Sequence, residues 1–366
     1  MNVGLNLMFL ADAAGGAGRY AEELAPALLE AESRLRLTVF VNRDAPTALS
    51  QTDWASDVEW VQLPTRFSNR THLVGQATAL PVLAARRRLD VLHSLANGGP
   101  PITPGVRRVV TLLDLIWLHQ REAWGTAAAV KTMAVLTRVS ARTAHRVITI
   151  SESARRDIVR SFGLDEKKVD VAPLGVRIPE EPTARGETGV PTVLCVAQKR
   201  PYKNLASLIY AVADLRDQRP VLVLPGEPTE HEGELRSLAA RLGVADRVRF
   251  PAWVSDQELD ALYASATCFV LPSLIEGFGL PVLEAMARGV PVACSDRPAL
   301  PEVAGDAALL FDPTNHEAVT DAVRRLLTDV RLRESLAARG LERARQFSWR
   351  RTAEETLASY LRAVGE

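Results

Sequence analysis

The sequence predicts an α/β protein made of two doubly wound domains. Short apolar runs typical of strands alternate with longer helical patterns over nearly the whole chain, and this alternation indicates parallel sheets covered by helices on both faces. The length of 366 residues favours two domains over one. A polar, proline-rich stretch over 174–190 has no apolar period and indicates a linker.

The linker defines the predicted domains. We expect an N-terminal domain over 1–175 and a C-terminal domain over 176–348, with a shared cleft between them. The helical pattern at 349–364 is amphipathic, and whether residues 349–366 return to the first domain is left open. In open α/β sheets ligands bind beyond the carboxyl ends of the strands, so the cleft is the expected site.

Composition narrows the class of protein. Apolar residues make up 47% of the chain and charged residues 24%, as in ordinary globular proteins. The net charge of zero argues against a nucleic-acid partner. The three cysteines lie in or beside apolar runs without metal-ligand spacing, which indicates reduced core residues of a cytoplasmic protein. No apolar run approaches the roughly 20 residues needed to span a bilayer, and the N-terminus lacks signal-peptide features.

The most informative segment covers residues 272–284. Two carboxylates, Glu276 and Glu284, flank a glycine turn that lies between the strand pattern at 268–271 and a predicted helix. A strand, a glycine turn and a helix N-terminus offer backbone N–H groups to an anion, and carboxylates accept hydrogen bonds from sugar hydroxyls. We therefore expect a nucleotide-sugar site, with Glu276 on the hexose and Glu284 on the ribose.

The turn consists of Gly277, Phe278, Gly279 and Leu280, and the N–H groups of its last two residues face a phosphate in this interpretation. The alternative is an acidic helix cap with a connecting turn.

Residues 273–287 resemble the signature of the family-4 retaining glycosyltransferases, and residues 289–292 and 300–308 continue the likeness. The resemblance implies the GT-B fold, in which two Rossmann-like domains face an inter-domain cleft. It also implies a retaining hexosyltransferase whose leaving phosphate accepts the proton of the acceptor, so that the protein mainly positions the substrates and stabilises the diphosphate. No cofactor or metal is expected, because the chain lacks an Asp-x-Asp pair at a strand end and cationic groups can replace a divalent ion.

A cationic loop follows the first strand of the second domain. Lys199, Arg200 and Lys203 lie beside a helix start, where they can clamp a diphosphate; a solvated basic loop is the alternative. The resemblance assigns the diphosphate-neutralising lysine to Lys203. Its upstream partner corresponds to Gln198, for which Lys199 or Arg200 could substitute.

The glycine-rich segment 15–20 is expected to form a loop between the first strand and a helix, where Gly16 and Gly18 let a ligand approach the backbone. Arg19 in the same loop is an acceptor-side candidate. A dinucleotide-binding loop is the rival interpretation, but it expects an acidic residue at the end of the second strand. The second strand ends in 41–43, Val-Asn-Arg. In the family this loop approaches the donor phosphate and the acceptor.

The base of the nucleotide is expected near Trp253 and Val254, because in the family the backbone of this loop reads the base. Trp253 either stacks on the base or belongs to the core, and both remain open. Backbone readout leaves little trace in a sequence, so UDP-, GDP- and dTDP-hexose donors are all candidates.

The first domain departs from the family at Leu113, where relatives usually carry His before the residue equivalent to Asp114. Leucine cannot donate or accept a hydrogen bond. Asp114 remains, either to orient the loop or to contact the acceptor. His93 and His119 are further acceptor-side candidates, and a surface location is the simpler interpretation of His119.

Residues 86–160 carry thirteen Lys and Arg against five Asp and Glu. Lys131, Arg138 and Arg142 recur at spacings of one helical face, near the apolar residues Met133, Leu136 and Val139. Such a face can contact an anionic membrane at its inner surface or a lipid-linked acceptor. The alternative is a solvated face.

Three functions compete. The first is transfer of a hexose, with a slight preference for mannose or a deoxyhexose from the form of the motif, to a hydroxyl of a glycan, lipid-linked or natural-product acceptor. The second is a sugar-nucleotide-binding but transfer-deficient protein or partner subunit, suggested by Leu113. The third is a nicotinamide-dependent oxidoreductase, opposed by the carboxylate pair. The sequence does not determine the acceptor or the oligomeric state.

Overall fold

The computed structural model describes residues 1–10, 15–45, 49, 51–66, 75–179 and 189–365. The chain divides into two compact units, one formed by Met1–Gly175 with Trp349–Glu366 and the other by Val176–Ser348. Residues 180–188 of the expected linker lie outside the described residues.

The first unit contains a seven-stranded sheet in which all neighbouring strands are parallel, in the order β3-β2-β1-β4-β5-β6-β7. The strand order reverses between β1 and β4, which is the switch point of a doubly wound sheet. Helices cover parallel sheets on both faces, and this explains the nearly continuous apolar runs of the strands. The strands are β1 Asn2–Asn6, β2 Arg36–Val41, β3 Glu59–Gln62, β4 Val91–Ser94, β5 Arg107–Thr111, β6 Arg146–Thr149 and β7 Val169–Val171.

The second unit repeats the plan with six parallel strands in the order β10-β9-β8-β11-β12-β13. Its switch point lies between β8 and β11. The strands are β8 Thr192–Leu194, β9 Val221–Val223, β10 Val248–Arg249, β11 Cys268–Leu271, β12 Val292–Ser295 and β13 Ala308–Phe311. The two parallel sheets confirm the predicted fold class.

Helices connect the strands in both units. Those of the first unit are α1 Gly15–Ala31, α2 Ala79–Arg86, α3 Ile116–His119, α4 Ala127–Thr143, α5 Glu152–Phe162 and, at the end of the chain, α13 Trp349–Val364. Those of the second unit are α6 Leu205–Asp214, α7 Glu230–Arg241, α8 Asp256–Ser265, α9 Leu280–Ala287, α10 Leu300–Ala304, α11 His316–Thr328 and α12 Val330–Ala344. Local sequence sets several ends: Ser255 and Glu258 form a capping box at α8.

The last helix, α13, packs into the first unit. Thr352 donates its hydroxyl to the Pro173 carbonyl at 2.6 Å, and Ser359 donates to Asp170 at 2.7 Å. Tyr360 is fully buried and contacts His93 of β4. These contacts explain why a segment that follows the second unit in the chain belongs to the first.

The three cysteines are buried free thiols, and burial raises the pKa of each to about 12. Across the described residues, no helix combines the length and the apolarity required to cross a bilayer.

Candidate functional site

The expected donor residues follow strands that end at one edge of the second sheet. The loop 195–204 follows β8 and the loop 272–279 follows β11, and these neighbouring strands flank the switch point of the sheet. Diverging connections leave a crevice at such a point, which is where ligands bind in open α/β sheets.

Lys203 and Glu276 meet at this crevice. The ammonium Nζ of Lys203 lies 2.6 Å from Oε1 of Glu276, and Ser273 donates its hydroxyl to the same oxygen at 2.7 Å. Both charged side chains are largely shielded from water. Tyr202 ties the two loops together, because its carbonyl accepts the Leu274 N–H at 2.8 Å. The structure therefore holds a cation and a carboxylate together at the carboxyl ends of two strands.

The glycine turn fixes the start of α9. Gly279 has a φ of +100°, and a Cβ at this position would lie 2.4 Å from Cδ2 of Leu300. Both facts require glycine. Among the described contacts no side chain caps this helix. Pro281 has no N–H, and the Val282 N–H donates to the Gly279 carbonyl at 2.9 Å, so the N–H groups of Gly279 and Leu280 are the ones that the start of the helix can offer. Phe278 anchors the turn by an edge-on contact with Phe347, and Gly277 is buried.

Glu284 lies one turn into α9 and is held by Tyr263. The buried Tyr263 hydroxyl lies 3.1 Å from Oε2 of Glu284. Burial, followed by the charge of Glu284, raises the pKa of Tyr263 well above its usual value. The guanidinium of Arg288 stacks on the Tyr263 ring. Tyr263 thus fixes the direction of the Glu284 carboxylate.

Lys199 has a different environment from the one expected for a phosphate ligand. Its side chain is 0% exposed, and its Nζ donates to the Gly226 carbonyl and lies 3.3 Å from Glu232. Burial lowers the pKa of Lys199, and Glu232 opposes that shift. The placement gives Lys199 a role in holding the loops after β8 and β9 together rather than in direct contact with a ligand.

The other members of the cationic loop are more accessible. Gln198 is exposed and accepts a hydrogen bond from Nε of Arg200 at 3.3 Å. Trp253, in the loop after β10, is 72% exposed and so does not belong to the core. Its neighbour Val254 is half-buried.

In the first unit, α1 begins at Gly15, so Gly16, Gly18 and Arg19 lie within its first turns rather than in the connecting loop that was expected. Residues 11–14, which link β1 to this helix, lie outside the described residues. A Cβ at Gly16 would meet no atom within 4 Å. The glycine therefore leaves open space beside the helix start at the switch point of the first sheet.

His93 was expected to face a cleft, but it is 0% exposed in the interior of the first unit. Its Nδ1 lies 2.7 Å from the Tyr360 hydroxyl and its Nε2 lies 2.7 Å from the Thr111 hydroxyl. Burial lowers its pKa to about 3. Because strand residues alternate between two covered faces, a histidine inside β4 has no path to an acceptor, and the prediction is corrected to a framework role.

Asp114 lies just before the short helix α3, and His119 is the last residue of that helix. Asp114 accepts the Ile116 N–H at 3.0 Å and so shapes the turn after β5. Half-buried Leu113 precedes it. His119 lies 2.8 Å from Asp157 of α5 on the surface. The simpler interpretation of His119, a surface residue, agrees with this geometry.

Two residues that contact the expected donor residues were not predicted from the sequence. Ser273 lies within the recognised motif three positions before Glu276, so the motif itself carried the signal. Tyr263 lies in another helix, α8, and nothing in its local sequence connects it to Glu284. Among the described residues, no group of three or more His, Cys, Asp or Glu side chains is arranged to hold a metal ion.

Known families match both halves of the chain. The family described as Glycosyltransferase Family 4 matches residues 14–180, and the family described as Glycosyl transferases group 1 matches residues 178–343. The MMP alpha-(1->4)-mannosyltransferase of Mycolicibacterium hassiacum is 32% identical over 304 residues, which cover 78% of this chain and 74% of that protein. The chain belongs to the family-4 glycosyltransferases. The O-antigen chain mannosyltransferase B of Escherichia coli is 29% identical over 371 residues, covering 94% of this glycosyltransferase and 95% of that protein.

Solved structures agree on the fold. Sucrose-phosphate synthase from Thermosynechococcus elongatus superimposes with a TM-score of 0.79 at 20% identity, covering 98% of each chain. Anabaena HepE, solved with UDP and glucose, gives a TM-score of 0.76 at 20% identity and covers 98% of this chain and 100% of that one. The glycosyltransferase therefore has the GT-B fold, as the sequence predicted.

Proposed function

We propose that this glycosyltransferase moves a hexose from a nucleotide-sugar donor to an acceptor hydroxyl with retention of configuration. The observation that carries the proposal is the pairing of Lys203 with Glu276 at the switch point of the second sheet. A cation there suits a leaving diphosphate, and a carboxylate beside it suits the hydroxyls of the transferred sugar.

Each donor group has a proposed partner. The diphosphate contacts Lys203 and the N–H groups at the start of α9, where the helix dipole also favours negative charge. Glu276 accepts hydrogen bonds from the hexose, and Glu284, oriented by Tyr263, accepts those of the ribose. These groups supply the charge stabilisation that a metal ion would otherwise provide, and we propose a metal-independent reaction.

The loop after β10 is the proposed base site. Trp253 is the most exposed aromatic side chain of the described residues, and a flat exposed ring can stack on a base. Arg200 and Gln198, in the loop after β8, are proposed to border the diphosphate, whereas Lys199 holds that loop to Gly226 and Glu232.

We propose a mannosyl-type donor, because two similar proteins are named mannosyltransferases and the form of the motif favours the same choice. The first unit is the proposed acceptor side, with Arg19 and Asp114 at the carboxyl edge of its sheet. The acceptor is a glycan, lipid-linked or small-molecule hydroxyl. The reduced thiols support a cytoplasmic location.

The test has two steps. Binding of GDP, UDP, dTDP and ADP is compared by titration calorimetry, and the matching nucleotide-hexoses are then offered with glycan acceptors while product is followed by NMR. We expect GDP to bind most tightly, and the product of an α-linked donor to be α-linked. A β-linked product would overturn retention, and failure of all four nucleotides to bind would overturn the donor site.

Leu113 supports a second candidate, a protein that binds a nucleotide-sugar without transferring it, either alone or as a partner subunit. The same assay separates the two candidates. Tight donor binding with no hydrolysis or transfer, across donors and acceptors, would favour this candidate over catalysis.

A further inference from the structure

The outward face of α4 in the first unit exposes apolar side chains. Val135, Leu136 and Val139 are 54%, 45% and 42% exposed. The orientation of α4 is fixed by its opposite face, whose buried residues are Val130, Thr137, Ser140 and Ala141. Met133, which the sequence grouped with the outward apolar residues, instead packs half-buried against the core. The three exposed side chains are therefore held in the solvent by the packing of the helix.

Cations flank this apolar face. Lys131, Arg138 and Arg142 align along α4 beside Val135 and Val139, because residues three, four and seven apart share one side of a helix. All three cations are exposed, and α4 contains no Asp or Glu. Within the part of the chain that the structure describes, none of the three forms an ion pair with a carboxylate. The positive charge of the face is thus not neutralised by neighbouring acids.

More positive charge collects at the C-terminal end of α4. Lys168 donates its Nζ to the Arg142 carbonyl at 2.7 Å, and His145 lies two positions after Thr143, the last residue of the helix. Burial lowers the pKa of His145, and repulsion from Arg107, Arg108 and Lys168 lowers it further. The imidazole is therefore neutral near pH 7, so the positive charge here comes from the lysine and the two arginines. Burial likewise lowers the pKa of Lys168, with Arg108 contributing. Cations close enough to repel one another create a positive potential that an anionic surface would relieve.

An aromatic residue lies before the start of α4. Trp124 is 43% exposed, in the short turn Arg121–Trp124. Tryptophan is enriched where hydrocarbon meets lipid head groups, and long cationic side chains can reach head groups while their stems cover apolar surface.

We propose that the outward face of α4, formed by Lys131, Val135, Leu136, Arg138, Val139 and Arg142 with Trp124, docks this glycosyltransferase onto a bilayer that contains anionic phospholipid. A bilayer offers both negative head groups to the cations and an apolar phase to the valines, leucine and tryptophan. A soluble polyanion offers negative charge to the cations but no apolar phase to the other side chains. A second copy of the chain would bring two positively charged faces together, which is electrostatically unfavourable. The proposal uses no residue of the donor site, so it stands or falls independently of the proposed function.

The test compares sedimentation of the full chain with vesicles of phosphatidylcholine alone and vesicles that also contain phosphatidylglycerol. We expect binding to the anionic vesicles that weakens as salt rises. Lys131→Gln with Arg138→Gln should weaken vesicle binding about thirtyfold, because each of the two cations attracts the anionic surface by a similar amount and both attractions are lost. Val135→Ser with Val139→Ser should also release the protein, and this second loss would not respond to salt.

The matched control is Arg325→Gln with Arg331→Gln, two exposed cations of the second unit, and it should bind like the wild type. Arg142 is kept in the charge variant because its Nε supports the Phe162 carbonyl at 3.1 Å. Circular dichroism checks that each variant is folded. Three results would overturn the proposal: no binding of the wild type to anionic vesicles, equal binding by the Lys131 and Arg138 variant, or a dimer in sedimentation velocity that the valine substitutions dissociate.

Discussion

Lys203 and Glu276 lie 73 positions apart in the chain, yet their charged groups meet at 2.6 Å where β8 and β11 end. The sheet produces this proximity, because parallel neighbours bring their carboxyl ends to one edge. A short, shielded pair of opposite charges is held at the crevice where the strand order reverses.

Glu276→Gln should reduce transfer by roughly 100-fold or more, because the variant keeps the shape of the side chain but loses the charge that meets the sugar. Nucleoside diphosphate affinity should change little. Initial rates at saturating donor measure the first effect and calorimetry the second. Glu334→Gln, on the exposed surface of α12, is the control. Transfer at the wild-type rate would remove Glu276 from the site.

Lys203→Met should weaken nucleoside diphosphate binding by about tenfold to a hundredfold, since a charge-assisted hydrogen bond to phosphate is lost. Binding of the nucleoside without phosphates should stay the same. Arg331→Met, in the second unit but on α12, serves as the matched loss of a cation. Equal losses for nucleoside and nucleoside diphosphate would indicate misfolding of the loop rather than a lost phosphate contact.

Lys199→Met should destabilise the second unit by about 1–3 kcal/mol, because Glu232 would lose its buried partner and keep only the more exposed Arg236, which lies 2.7 Å away. The double variant with Glu232→Met should recover part of that loss. Urea unfolding followed by circular dichroism measures the free energies. If both the single and the double variant were as stable as the wild type, the Lys199–Glu232 pair would have no structural role.

The stability of the first unit should fall as the pH falls below 6.5. Burial holds the pKa of His93 at about 3 in the folded state against 6.5 ordinarily, so only the unfolded chain binds the proton between these values. The contribution is complete above pH 6.5 and is lost progressively toward pH 3, by roughly 2 kcal/mol at pH 5. Urea unfolding at pH 7 and pH 5 tests this. His93→Gln should reduce the difference between the two pH values, and an unchanged difference would contradict the assignment.

Gly279→Ala should destabilise the second unit by about 1–3 kcal/mol, because a Cβ would collide with Leu300 in a backbone conformation that disfavours side chains. Gly16→Ala is the matched control. It lies in a helix with open space around the new methyl group, and we expect unchanged or slightly higher stability. Thermal melts of both variants provide the comparison, and equal melting temperatures would argue against the strained turn.

Local pattern was sufficient for much of the fold. The strand β11 and the helix α9 were both predicted, because an apolar run and a glycine turn are encoded in adjacent residues. The turn at Gly279 also revealed the motif, since a left-handed backbone restricts the residue type. The start of α1 was harder to predict from the sequence. Glycines disfavour helix interiors, so Gly16 and Gly18 suggested a loop where the structure has a helix.

The local sequence pattern did not predict which polar side chains are buried. Lys199 and Lys203 are both loop lysines of similar appearance, but one is enclosed by Gly226 and Glu232 and the other meets Glu276. His93 ends a strand in the sequence and is enclosed by Tyr360 from the far end of the chain. The residues next to His93 in the sequence do not indicate its contact with Tyr360, which lies 267 positions away.

The sequence by itself determined the family, the α/β class and the Glu276–Glu284 motif, because apolar periodicity and turn chemistry are properties of adjacent residues. The tertiary structure alone decided that Lys203 and not Lys199 meets Glu276, that Tyr263 orients Glu284, and that α13 completes the first unit. The physical reason is that burial and long-range hydrogen bonds depend on which strands become neighbours, and neighbours in a sheet are distant in the chain.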